Sequence, residues 1–305
     1  MYSLGICFSK EFQGNEPLFD IGVKRPVYER LLAFCIDKGW KAFVLTRKTY
    51  IGNGVFEGSW QFKDGLFSKV TIPVRIDLVY DRTAGTSFPT QDSKIIWVDS
   101  SKFKKLSWDK WKTYKELSKN KIVRKYLPKT YWIGDKQYLS SIMRNISDNR
   151  IVLKPNNGLK GIGIFVGSKD QAINFTFSKN YPDYILQEFV DTSYGIPKIV
   201  SGLHDLRVVV INKKIIWSHV RTPPSGSLLA NVALGGEIRE VVIDLLPEVV
   251  QKITQSIAKE FYADFDNPIF SLDFGIDDKG IPKIFEINDQ VGFPLWEMKA
   301  RDNFL

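Results

Sequence analysis

Cysteine is nearly absent from this chain. Cys7 and Cys35, in 305 residues, are too few for a disulfide framework and do not stand at metal-site spacing. Histidine is as scarce. Neither His204 nor His219 belongs to a visible Ser–His or Cys–His pair, and both read as structural rather than catalytic. No apolar run approaches the roughly 20 residues of a membrane span. The opening Met1-Tyr-Ser-Leu-Gly-Ile-Cys-Phe-Ser-Lys10 is too short and too soon polar for a signal peptide, so a cytoplasmic protein with no membrane partner is expected. Internal repeats and low-complexity linkers are missing too.

What is present is an ordinary globular composition, 44% hydrophobic and 25% charged, long enough for one to three domains. The net charge of +9 invites a nucleic-acid reading. However, the lysines are spread among acids, densest from Lys102 to Lys129, and no helix-turn-helix, zinc or RNA-binding signature accompanies them. No nucleic-acid partner is expected. A solvated basic face is the plain explanation, and a field that gathers anionic ligands the sharper one.

Residues 1 to about 100 read as a small α/β unit. Strands are expected at Ser3–Phe8, Lys41–Leu45, Asp77–Arg82 and Lys94–Val98. A helix over Val27–Lys38 enters through Pro26 and closes at Gly39, and a hairpin turns at Lys63-Asp64-Gly65. Asp81 and Arg82 end a strand where ligands often sit in open α/β sheets, although simple strand termination explains them as well. Residues 101–126 read as helical with Ser107 as a cap, and Asp135–Asn145 as a further helix. From Arg150 onward strands dominate, apart from a helix over Pro247–Tyr262.

Two stretches carry the chemistry. In Phe270-Ser-Leu-Asp-Phe-Gly-Ile-Asp-Asp-Lys-Gly-Ile-Pro-Lys-Ile-Phe-Glu-Ile-Asn288, two apolar runs flank a turn at Asp277–Gly280. Alternation puts Glu286 and Asn288 on one strand face and Phe285 and Ile287 on the other. With Asp273, three hard oxygen donors converge, a set suited to Mg²⁺. Alone, the pattern fits an edge hairpin with a wet polar face equally well. The second stretch, Ile151–Val166, is strand, loop and strand. It carries Lys154 and the glycines Gly158, Gly161 and Gly163, which can bring backbone N–H groups close to phosphates. It is neither a Walker loop nor a Rossmann fingerprint, because a strand follows. Downstream stand Gln187-Glu188 on a short strand, Asp205 and Arg207 on one face of the next, and Trp217, His219 and Arg221 on one face of its partner.

Taken in order, these segments resemble the ATP-grasp superfamily over roughly residues 118–294, most closely its glutathione-synthetase-like and ribosomal-protein glutamate-ligase-like branches. The resemblance implies an α/β (α+β) chain: a pre-ATP-grasp α/β domain over 1–117, a small subdomain with a glycine-rich flap over 118–183, and a large subdomain over 184–305. Antiparallel sheets are expected in the two subdomains. Lys121 is similar to the family's first nucleotide-binding lysine, with Lys119 or Lys125 as rivals, and Lys154 to the second. Gly158, Lys160, Gly161 and Gly163 resemble the flap. Gln187, Glu188, Phe189 and Val190 resemble the linker that meets adenine. Asp205 is similar to the ribose-side acid, with Glu188 or Asp191 as rivals, and Asn231 to an amide near the phosphates. Arg221, helped by Arg207, resembles the arginine that meets the acyl phosphate. Asp273, Glu286 and Asn288 resemble ligands of one or two Mg²⁺. One departure stands out: Asn288 is followed by Asp-Gln-Val-Gly-Phe-Pro294, where the family usually shows a small residue and then Pro-Gly. That change bears on substrate identity more than on ATP.

The implied activity is ATP-dependent ligation of a carboxylate to an amine through an acyl phosphate, with ATP and Mg²⁺ as cofactors. Substrates are small molecules or peptides, and a homo-oligomer is possible because relatives often form one. A ligase acting on a peptide or protein side chain, and a nucleotide-binding structural protein without turnover, are the alternatives.

Overall fold

The computed structural model describes residues 1–9, 11–12, 16–83, 94–158, 161–230 and 235–294. They form two compact units. One comprises Met1–Lys105, Tyr262–Ile269 and the described residues from 289; the other comprises Leu106–Phe261 and Phe270–Asn288.

In the first unit, β1 (Ser3–Phe8) leads through α1 (Arg25–Asp37) to β2 (Lys41–Thr46). Short strands β3 (Tyr50–Gly52) and β4 (Val55–Phe56) precede the hairpin β5 (Ser59–Lys63) and β6 (Leu66–Val70), and β7 (Val74–Arg75) precedes β8 (Leu78–Arg82), β9 (Ile96–Val98) and α2 (Ser101–Ser107). The main sheet runs β6-β5-β2-β1-β8-β9. Its β2-β1-β8-β9 portion is parallel, so the connection order reverses between β1 and β8. Asp64 and Gly65 both adopt left-handed backbone, as a two-residue hairpin turn requires. Helix α1 has Pro26 near its start and buries Val27, Tyr28, Leu32 and Cys35. Cys7 and Cys35 are buried, free thiols.

The second unit opens with α3 (Lys110–Lys119), β10 (Thr130–Ile133) and α4 (Leu139–Met143). Then come β11 (Arg150–Pro155), β12 (Phe165–Ser168), α5 (Lys169–Asn174) and β13 (Tyr184–Glu188), giving an antiparallel sheet in the order β10-β13-β11-β12. A second antiparallel sheet, in the order β16-β15-β14-β17-β18, is built from β14 (Asp205–Ile211), β15 (Lys214–Thr222), β16 (Glu237–Glu240), β17 (Phe270–Ile276) and β18 (Pro282–Asn288). The long helix α6 (Glu248–Asp264) buries Val250, Ile253, Thr254, Ile257, Ala258 and Phe261, a continuous 3.6-period stripe. Among the described residues no helix is long and apolar enough to cross a membrane.

The structure revises several local expectations. Residues 101–126 are not one helix. Ser107 ends α2, and Asp109, in extended backbone, caps α3 by accepting from the Lys112 amide at 2.9 Å. The 135–145 segment is a 3₁₀ turn followed by the short α4, with Asp135 as its cap. Helix α5 sits where only strands were expected, held by a reciprocal Ser168–Gln171 capping box. The second unit starts at Leu106, and within it α3 packs against β10 and β18. Likewise β13 pairs with β10 and β11 and so belongs to the first of the unit's two sheets.

Candidate active site

Register sets one face of the five-stranded sheet. Arg207 stands opposite His219 on one side and Asp273 on the other; Asp205 stands opposite Arg221, and Asp273 opposite Glu286. Arg207 donates from Nε and Nη2 to Asp273 Oδ1 and Oδ2, each at 2.6 Å, a bidentate fork. Arg221 Nη2 bridges Asp205 Oδ2 at 2.5 Å and Asp273 Oδ2 at 2.8 Å. Asn288 Nδ2 reaches the same Asp273 oxygen at 3.3 Å. Burial pushes the Asp273 carboxyl up, but the two guanidiniums outweigh it and hold its pKa well below the usual carboxylate range. Asp205 moves the other way: burial raises it, and Arg221 offsets only part of that.

The expected alternation of β18 fails at one place. A bulge between Asp273 and Phe274 slips the register, so Ile284 and Ile287 are buried while Phe285 and Glu286 both line the site cleft. Phe285 therefore faces the site rather than the opposite side. Its ring lies over Gly275, where an added Cβ would meet Phe285 Cζ at 2.2 Å and Thr192 Cγ2 at 2.7 Å. Gly275→Ala is expected to displace the ring and cost roughly 1–3 kcal/mol. Urea denaturation checks this; an unchanged midpoint would contradict the packing.

Across the cleft, Lys154 of β11 donates to Gln187 Oε1 at 2.7 Å, and its Nζ lies 5.5 Å from the centre of the Phe285 ring. Gln187 Nε2 in turn donates to Thr130 Oγ1 at 3.0 Å, which fixes the amide's orientation. Burial lowers the Lys154 pKa to about 8; Glu286 opposes that shift, and Lys110 adds to it. Lys110 is a residue the sequence reading missed. Its Nζ donates to the Gly158 carbonyl at 2.6 Å and pairs with Glu286 Oε1 at 3.2 Å, with only 10% of its side chain exposed. Lys121, Lys119 and Lys125 are exposed, and none of them lines the cleft. The signal lay in helical spacing: Lys110, Thr113 and Leu117 share the face of α3 that lines a small cavity with Glu286.

The cleft encloses about 120 Å³ and has a mixed lining. Val152, Ile164, Val166, Phe189 and Leu228 are among its apolar residues, and Lys154, Glu188, Asp205, Asp273 and Glu286 among its charged ones, with Gln187 and Val190 also on the wall. Gly158 precedes the loop, and Gly161 and Gly163 both have φ of 77°, backbone that favours glycine. Lys160 and Asn231 lie outside the described residues. His204 is structural: Nδ1 faces the Gly202 carbonyl at 3.1 Å, and Nε2 accepts from the Ile276 amide at 3.1 Å. His219 is buried on Trp217, and burial together with Arg207 and Arg221 keeps its pKa well below the usual range.

Chemically, four cations (Lys110, Lys154, Arg207 and Arg221) stand with Asp205, Asp273 and Glu286, and Glu188 lies on the cleft wall. The cations offer donors to an anionic ligand beside apolar side chains. Mg²⁺ fits the donor set. Among the contacts of the described residues, Asp273 Oδ1 receives one hydrogen bond, from Arg207, and Glu286 engages a cation through Oε1, which leaves hard oxygen lone pairs facing the cleft.

A sequence profile of the RimK-like ATP-grasp domain matches residues 107–303. The chain is 34% identical over 92 residues to glutathione synthetase of Buchnera aphidicola subsp. Schizaphis graminum (strain Sg); the match spans 30% of this chain and 28% of that protein. Among solved structures, the VanG D-Ala:D-Ser ligase from Enterococcus faecalis superposes with a TM-score of 0.62 at 12% identity, covering 95% of this chain and 91% of that one. D-alanine–D-alanine ligase from Bacillus anthracis, in complex with ATP, gives 0.60 at 14% identity, covering 99% and 91%. These likenesses show the fold.

Proposed function

We propose that this chain, which belongs to the RimK-like ATP-grasp domain family, is an ADP-forming ligase that joins a carboxylate to an amine. The observation that carries this is a cleft lined both by apolar side chains and by Lys154, Asp273 and Glu286. The apolar part of that lining suits an adenine ring, and the charged part suits phosphates together with a metal ion.

In this scheme Val152, Ile164, Val166 and Phe189 hold the base, and Lys154 and Lys110 offset phosphate charge. Asp273, Glu286 and Asn288 would hold Mg²⁺, which when bound neutralises the β- and γ-phosphates. A substrate carboxylate attacks the γ-phosphorus and ADP leaves. An amine then attacks the acyl phosphate and inorganic phosphate leaves, so an amide remains. Arg221, already placed between Asp205 and Asp273, stabilises the oxyanion of the second step, with Arg207 beside it. The chain's contribution is positioning and electrostatics, which fits its lack of a nucleophile–histidine pair.

The direct test is Mg²⁺-dependent ADP release over pooled amino acids, dipeptides and acidic peptides, with Glu286→Ala as the blank. Release requiring one carboxylate and one amine together is the expected result. Nucleotide binding without stimulated release in any pool would overturn the ligase in favour of a binding protein.

A further inference from the structure

The first unit holds an arginine that makes no ion pair among the described residues. Arg82 is the last residue of β8, beside Phe8 at the end of β1, where the connection order of the parallel strands reverses. Crevices at such carboxyl ends are where open α/β sheets take ligands. Its guanidinium donates from Nε to the Tyr28 hydroxyl at 3.1 Å and from Nη1 to the Tyr80 hydroxyl at 3.2 Å. The rings of Tyr80 and Phe293 lie 5.4 and 5.5 Å from its central carbon, and Tyr28 and Phe293 meet edge to face at 4.8 Å. Among the described residues Arg82 makes no ion pair, and Nη2 donates to nothing. Each tyrosine accepts a hydrogen bond there, while its own O–H meets no acceptor among the described residues.

Nearby acids make no ion pair with it. Asp81 is paired with Lys104 at 3.0 Å and receives the Thr83 amide at 2.8 Å. Asp99 is fully buried and acts on Arg82 through its field, without a hydrogen bond; burial, with Asp289 adding to it, raises its pKa well above the ordinary value, and Lys104 and Arg82 oppose that shift. Burial likewise raises the Tyr80 phenol, keeping it a donor. Three donor groups with one net positive charge, walled by aromatic rings, match a single carboxylate on an organic body better than a dianionic phosphate. Phe293 lies in Asp289-Gln-Val-Gly-Phe-Pro294, the stretch where this sequence departs from its family's usual pattern.

We propose that Arg82, with the hydroxyls of Tyr28 and Tyr80 and the ring of Phe293, forms a carboxylate-binding subsite of the first unit. It takes a carboxylate that the reaction leaves intact, such as the C-terminus of an amino acid or peptide. Only the assignment of that group to a substrate rests on the ligase function; the binding itself does not.

The test uses the full chain with N-acetylglycine, its neutral analogue N-acetylglycinamide, and inorganic phosphate as probes. The Nε–H resonance of Arg82, identified by its loss in Arg82→Lys, should shift saturably with N-acetylglycine. It should stay put with the amide and respond less to phosphate. By calorimetry, Arg82→Lys, which keeps the charge but loses the fork, should weaken N-acetylglycine binding roughly 10- to 100-fold. Tyr28→Phe should weaken it by less. Equal binding of acid and amide, tighter binding of phosphate, or undiminished affinity in Arg82→Lys would overturn the subsite. If ADP release identifies substrates, a free-acid substrate should have a lower KM than its C-terminal amide in the wild type, and Arg82→Lys should erase that gap while kcat is retained. If no pool releases ADP, the ligase function fails, and the N-acetylglycine titration still decides the subsite.

Discussion

Lys154→Met is expected to remove turnover almost completely while leaving the protein at least as stable as before. The half-buried lysine's ammonium has one neutral acceptor among the described residues, Gln187, and desolvation depresses its pKa to about 8. Against an unfolded value near 10.4, that depression corresponds to a penalty of about 3 kcal/mol at neutral pH. The sign follows from proton counting. Between pH 8 and 10.4 the unfolded chain binds more protons at this site than the folded one does, so wild-type stability rises with pH across that window. Below pH 8 the penalty is constant. Methionine removes the charge and, with it, both the penalty and this part of the pH dependence. In the proposed scheme a polyphosphate is its partner, so losing the ammonium should lower ADP formation by roughly 10²- to 10³-fold, as for other desolvated contacts to a transition state. Wild-type nucleotide affinity should likewise weaken above pH 8, as the lysine deprotonates. Thermal melts at pH 7 and pH 9.5, paired with ADP release, check both halves. A variant that melts earlier than the wild type, or turns over at a tenth of its rate, would contradict the role.

Much of this site was legible because strand chemistry is periodic. Asp205 and Arg207, His219 and Arg221, and Glu286 and Asn288 lie two residues apart, and a period of two puts each pair on one face without any knowledge of the fold. What stayed hidden needed geometry that sequence does not carry. Phe285 escaped because one bulge residue inverts the alternation, and no residue in Ile284–Ile287 announces it. Lys110 escaped because the helix's buried face was unknown; among many lysines, only its placement over Glu286 and the Gly158 carbonyl separates it from Lys121. Helix α5 was legible after all, since Ser168 and Gln171 stand at capping-box spacing, but the surrounding strands masked it. The environment of Arg82 could not be read locally. Tyr28, Tyr80 and Phe293 come from α1, β8 and the segment after Asn288, and only the topology of the first unit brings them together.

The two carboxylates opposite one another in the β17–β18 ladder should separate function from stability. Both Asp273→Asn and Glu286→Gln are expected to abolish ADP formation, because each removes an anionic donor from the candidate Mg²⁺ set. Their effects on folding should differ sharply. Asp273 is 3% exposed and receives both Arg207 and Arg221. Neutralising it leaves the buried Arg221 and the half-buried Arg207 with Asp205, a loss of roughly 3–5 kcal/mol. Glu286 keeps 28% of its side chain exposed and, among the described residues, pairs with Lys110 only, so its loss should cost no more than about 1 kcal/mol. The arginines supply a further check. Adding Arg207→Met to Asp273→Asn removes one of the stranded cations and should recover part of the stability, yet none of the activity, since the metal donor is still gone. Urea unfolding of the four proteins (wild type, both single variants and the double variant) measures the first quantity, and ADP release the second. If Asp273→Asn unfolds at the wild-type midpoint, the two arginines are not held by Asp273 as the structure places them. If Glu286→Gln turns over normally, the oxygen set of this hairpin is not the metal site.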